Sequence, residues 1–259
     1  MNEPHVVALH YRIEHADWID YSKADPLEFC GQSFRVRVEG KRVRFDMNDH
    51  FATEQEACET VEDFIRNWEL DVALSRGPGA FKLRFDNSDI IDQSPTPGVV
   101  RLRAPPVRVA ISISQPQLTV SPREYPMPPS TGLTRSPDVE SMFSRYTGYR
   151  GGKEPLAAMA YFCLDVLLAT TGKRKGRLER AAKRYRVSQP VLKRLADLTS
   201  TKGGADARKA EGVHRDLTAE EKQFVEAAVT AMIRRVAEVA HDPNAEFADI
   251  SMSEFAPRE

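Results

Sequence analysis

The chain has 259 residues and a mass of 29.1 kDa, enough for one large domain or two modest ones. Its 41% hydrophobic and 29% charged residues are ordinary for a soluble globular protein, and no stretch reaches the ~18 consecutive apolar residues of a membrane helix. The net charge of −1 is the balance of one strongly basic segment against an acidic remainder.

The first residues, MNEPHVVALHYRIEHADW, have no basic start leading into an apolar run, so no secretory leader is expected. In VVALHYRIE, Val7, Leu9, Tyr11 and Ile13 alternate with polar positions and predict a strand. SFRVRVEGKRVRF predicts a hairpin with Phe34, Val36, Val38, Val43 and Phe45 on one face and the turn near Glu39-Gly40. Thr53 and Glu56 have capping-box spacing, and Ala57, Val61, Phe64, Ile65 and Trp68 continue at helical spacing. AFKLRFD and VVRLRAPPVRVAISIS return to strand alternation, while DNSDIID reads as a polar turn. The arginines on the outer faces are the polar half of an antiparallel sheet.

Six prolines between Pro116 and Pro137 forbid a regular helix or central strand and predict a linker or a surface strap. Helical patterns follow. KEPLAAMAYFCLDVLLATTG is apolar nearly all round, with Gly172 as a stop, and predicts the central core helix. RKGRLERAAKRYRV predicts a basic amphipathic helix, and SQPVLKRLADLTST predicts a helix with Ser188 as its cap. Thr218 and Glu221 form a second capping box ahead of a last helix with Phe224, Val225, Ala228, Met232, Ile233 and Val236 on its apolar stripe. The acidic end of the chain reads as a loose tail able to lie on the basic segment.

Three cysteines, Cys30, Cys58 and Cys163, argue against a disulfide framework or a zinc ribbon. They are expected as reduced, small apolar residues in a reducing cytoplasm. His5, His10 and His15 recur every five residues, which puts neighbours on opposite faces of a strand. They read as surface or edge histidines, and no metal site is expected. Tyr146, Tyr149 and Arg150 flank a glycine hinge and read as residues docking the linker onto the helices, with stacking on a base or sugar as the alternative.

From Lys173 to Arg215 there are fourteen Lys and Arg against four acids, a net of +10. Such a surface attracts RNA or an acidic protein partner, or pairs with acidic surface of its own chain. Within it, Arg208 lies six residues before His214. Histidine exchanges protons near neutral pH, and arginine holds a phosphate through two parallel bonds. The pair is therefore the candidate catalytic set for metal-independent RNA cleavage. Lys209, Arg215, Lys202 and Arg194 form the candidate basic binding surface.

RYTGYRGGKEPLAAMAYFCLDVL, LADLTSTKGGADARKAEG and LTAEEKQFVEAAVTAMIRRVAE resemble the bacterial methylamine utilisation protein J (MauJ-like) family across most of residues 145–240. That resemblance implies an accessory protein without a demonstrated activity. The long apolar helix, the Arg-to-His stretch and the final LTAEE…IRRV helix also resemble HEPN-type helical domains. In that superfamily an arginine is followed by a histidine after four to six residues. The resemblance implies a homodimeric, metal-independent ribonuclease or defence effector. Arg208 would hold the scissile phosphate and His214 would transfer protons.

The expected fold class is α+β. A mainly antiparallel β domain with one helix occupies 1–120, a proline-rich linker 121–136, an α-helical bundle 137–245 and an acidic tail 246–259. Two functions are expected: a MauJ-like accessory or interaction protein, or a HEPN-like ribonuclease using Arg208 and His214. No cofactor and no membrane partner are expected.

Overall fold

The computed structural model describes residues 3–93, 120–172, 175–200 and 215–255. The chain is α+β and divides into two compact units, Met1–Pro128 and Pro129–Glu259.

The first unit is built on a five-stranded antiparallel sheet. Its strands are β1 (Pro4–Glu14), β2 (Leu27–Cys30), β3 (Phe34–Glu39), β4 (Arg42–Met47) and β5 (Lys82–Asp92), in the order β2-β3-β4-β1-β5. Helix α1 (Glu54–Arg76) stands between β4 and β5 in the chain. The β3–β4 hairpin closes through Gly40 and Lys41, both at positive φ (54° and 64°). That pair of left-handed residues matches the twist of the strands it joins. The strict alternation of β3 buries Phe34, Val36 and Val38 and exposes Arg35, Arg37 and Glu39.

Two corrections concern β1 and its partner β5. The pairing slips between Val6 and Ala8 and again between His10 and Tyr11. Val7 is the extra residue at the first slip, so Val6 rather than Val7 joins Leu9, Tyr11 and Ile13 in the core. Asp86 is the extra residue at the second. DNSDIID is strand rather than turn, because pairing with β1 overrides the poor strand propensity of Asp, Asn and Ser.

Helix α1 starts on the predicted capping box, with Thr53 Oγ1 accepting from the Glu56 amide and Glu56 accepting from the Thr53 amide, each at 3.2 Å. It buries Ala57, Val61, Ile65, Trp68 and Val72 in the same core as the inner sheet face. Trp68 is fully buried and donates Nε1–H to the Pro126 carbonyl at 3.1 Å. The proline-rich stretch expected as a linker is thus shared between the units. Val120 and Glu124 bridge in parallel to Ile19 and Asp25, and the buried Tyr125 stacks on Tyr21 at 5.5 Å. Beyond Pro128 the stretch belongs to the second unit, where Thr134 N–H bonds Ala237 O at 3.0 Å. Gly132 lies against the His241 ring there, so a side chain at this position would have to turn that exposed ring aside.

The second unit contains α2 (Pro137–Arg150), α3 (Leu156–Ala169), α4 (Arg177–Tyr185), α5 (Gln189–Ser200) and α6 (Ala219–His241), followed by a 3₁₀ turn at Met252–Phe255. Ser136 caps α2 and Pro137 occupies its first turn, where a missing N–H costs nothing. As its composition predicts, α3 is central: it touches α2, α4, α5 and α6 and buries Met159, Cys163, Leu164 and Leu167. Among the described residues, no helix is long and apolar enough to cross a membrane.

Candidate functional site

The basic segment begins where α3 ends. The last carbonyls of a helix lack intrahelical donors and carry partial negative charge. Here Thr170, Thr171 and Gly172 donate to them, and arginines of α4 take up the carbonyls just beyond the helix. Arg184 donates to Thr170 O at 3.0 Å, and Arg180 donates to Thr171 O at 3.0 Å and Lys175 O at 2.8 Å. Arg177 reaches Asp165 on α3 at 3.7 Å. Much of the charge on α4 is therefore spent inside the unit.

The end of the chain lies on the same segment. Arg186 and Ile250 exchange backbone bonds with the opposite strand of chain: Ile250 N–H donates to Arg186 O and Ser188 N–H donates to Ile250 O, both at 2.8 Å. Ile250 is 6% exposed, and Asp249 pairs with Arg186 at 2.9 Å. The expected loose tail is docked through Phe255, which packs edge-on against Phe224. The opposing restraint comes from Arg235 on α6, an arginine only 7% exposed. It donates to Tyr185 O, Arg186 O and Ala248 O, pairs with Glu238 at 2.8 Å and stands over the Phe247 ring.

The predicted site residues divide into two groups. Arg208, Lys209, His214 and Lys202 lie outside the described residues. Arg194 and Arg215 are described, and both are engaged. The Arg194 guanidinium stacks 4.7 Å from the Phe224 ring centre. Arg215 forms a two-pronged pair with Glu221, at 2.7 and 2.5 Å, which holds its charge on more firmly than usual. Glu221 also completes the capping box of α6 with Thr218. The Arg208–His214 stretch thus joins the end of α5 to a firmly capped α6, and these helices pack together.

Tyr149, Tyr146 and Arg150 sit at the end of α2. Tyr149 donates its hydroxyl to Glu226 on α6. Burial and that carboxylate push the Tyr149 phenol up to about 12. Tyr146 is buried, and burial raises its phenol against the pull of Arg150. Tyr149 thus ties α2 to α6, helix to helix. Neither Glu226 nor Arg235 carries a sequence signal beyond helical spacing, because Tyr149 and the Tyr185, Arg186 and Ala248 carbonyls come from distant chain.

On the first unit, the outer sheet face is a lattice of ion pairs. His10 Nε2 and Arg44 both reach the Asp89 carboxylate at 3.0 Å, and Arg44 also bonds Asp46. Partial burial opposes ionisation of Asp89, but these two partners hold its carboxyl below the ordinary range. Arg12–Asp86 and Arg84–Glu14 extend the lattice at 3.3 and 3.1 Å. The three cysteines are free, and burial pushes the Cys163 thiol up to about 12. Among the described residues, no group of three or more His, Cys, Asp or Glu is placed to hold a metal ion.

No family model, curated protein or solved structure matches this chain.

Proposed function

We propose that the chain is a cytoplasmic accessory or interaction protein of MauJ-like kind, with its basic 173–215 segment serving structure rather than catalysis. One observation carries this: among the described residues of the segment, several arginines already hold counter-charges or acceptors within the chain. Arg180 and Arg184 bond the Thr171 and Thr170 carbonyls after α3, Arg186 pairs with Asp249 of the docked tail, and Arg215 pairs with Glu221. A cation committed to a short internal pair offers little to a phosphate. The helices α2–α6 then act as a bundle that presents a finished surface to a protein partner.

A second reading is supported by the chain order: the Arg208–His214 stretch follows α5 and precedes α6, and those two helices pack together. In a HEPN-like ribonuclease bundle, working as a homodimer, Arg208 would engage the scissile phosphate and His214 would move the proton of a ribose hydroxyl. The test is incubation of labelled single-stranded RNA with the purified chain in EDTA, beside His214→Ala. The accessory reading expects no difference between the two proteins. Cleavage by the unaltered chain that vanishes in His214→Ala would replace it with the ribonuclease reading.

A further inference from the structure

The first unit holds a second histidine arrangement, independent of the basic segment and of the reading above. His5 stands at the start of β1, and His50 lies just beyond the end of β4. Their Nδ1 atoms are 3.1 Å apart, with ring centres 4.9 Å apart and planes inclined by 17°. The approach is set by the backbone. Val6 N–H donates to Phe51 O at 2.9 Å, so the residue after each histidine is tied to the residue after the other.

Two imidazoles at this separation need one ring to offer N–H and the other a lone pair. A single hydrogen between the two nitrogens links them. Its place suits a metal ion equally well. With metal–imidazole bonds of about 2.0–2.1 Å, two cis nitrogens lie about 2.9 Å apart at a right angle and about 3.3 Å apart at the tetrahedral angle. The 3.1 Å separation falls between these limits. Imidazole nitrogen selects borderline transition metals over magnesium or calcium, which prefer oxygen. Asp92 lies at the same end of the sheet, where it pairs with Pro4 across the strands and accepts from Glu3 N–H at 2.9 Å. Its negative charge favours a dication nearby. His50 is exposed, which leaves the remaining coordination positions open to water.

We propose that His5 and His50 form a two-imidazole site for a divalent transition-metal ion of the zinc or nickel class. On binding, the metal takes the Nδ1 lone pair of each ring. The donor ring gives up its Nδ1 hydrogen to solvent and takes one up on Nε2, so both neutral rings end with Nε2–H and no net proton is released.

The test is calorimetric titration of Zn²⁺ into the full, tag-free chain in a non-chelating buffer. It is paired with ¹⁵N shifts of the histidine ring nitrogens. The expected result is one bound ion per chain, movement of the His5 and His50 Nδ1 signals, and at least a tenfold loss of affinity in His50→Ala. His10→Ala should bind as the unaltered chain does, because His10 belongs to the Asp89 lattice. His50 is exposed, so its replacement leaves the core intact; unchanged circular dichroism checks this. No binding by the unaltered chain, full affinity in His50→Ala, or unmoved Nδ1 signals would overturn the proposal.

Discussion

The Arg235 guanidinium on α6 donates to the Ala248 carbonyl of the chain's end at 2.9 Å. The same side chain reaches the Tyr185 and Arg186 carbonyls at the end of α4 and pairs with Glu238. One buried cation therefore fastens α6, α4 and the tail together. Glu238 stands beside it with little solvent to replace it as a partner.

Replacing Arg235 should therefore cost more than an ordinary surface arginine. Arg235→Ala leaves Glu238 and several carbonyls without their donor and is expected to lower stability by about 2–4 kcal/mol. Arg235→Lys restores the charge but not the planar fork, so it should recover only part of the loss. Urea unfolding followed by circular dichroism measures both. A midpoint unchanged by Arg235→Ala would contradict the fastening role.

Arg186 gives a test with opposite signs. It ends α4 in the left-handed region at φ 51°, where a non-glycine residue costs about 1 kcal/mol. Its pair with Asp249 is exposed at both ends and worth at most about 1 kcal/mol. Arg186→Gly loses the pair but relieves the backbone, so its stability should stay within about 0.5 kcal/mol of the parent. Arg186→Ala loses the pair and keeps the strain. It should be the less stable of the two by about 1 kcal/mol in urea melts.

The thiols should differ sharply in reactivity. Cys30 is exposed, while Cys163 is buried in α3 with its thiol pushed up to about 12, by burial first and then by Glu154. Native protein should react with a disulfide reagent quickly at Cys30, and Cys163 should react only after denaturation. The same shift fixes a pH effect. The folded thiol titrates above the ordinary value of about 8.5, so its contribution is whole below that pH and lost as pH rises toward about 12. Tyr149 acts with the same sign, from its ordinary value near 10 up to about 12. Stability should fall between about pH 9 and 12, and Cys163→Ala should flatten the first part of that fall. Urea midpoints across this range measure it.

Periodicity and capping chemistry make much of the architecture legible in the sequence. Phe34, Val36 and Val38 alternate without interruption, and Thr53–Glu56 and Thr218–Glu221 start their helices as their spacing predicts. The misses have physical causes. A bulge adds one residue without any compositional mark, so the exchange of Val7 for Val6 is invisible in the sequence. DNSDIID has the residues of a turn and becomes strand only because β1 supplies the partner. The tail reads as loose because its anchors, Ile250 and Phe255, stand among many polar neighbours. Arg234 and Arg235 look alike in IRRV; only the partners from α4 and the tail distinguish the buried one. Of the candidate site, Arg194 and Arg215 proved to be held by Phe224 and Glu221, which no local motif announced for Arg194.

The end of the described chain lies on the basic segment at Arg186 and Ser188. Amide hydrogen exchange of the full chain reads this directly at Ser188 and Ile250, whose N–H groups bond across the two stretches at 2.8 Å. Both amides should be protected and should exchange together, with Arg235→Ala accelerating the pair. Exchange at the free-peptide rate at both positions, while α6 stays protected, would mean that the tail leaves the segment open and that its cations are available to a polyanion.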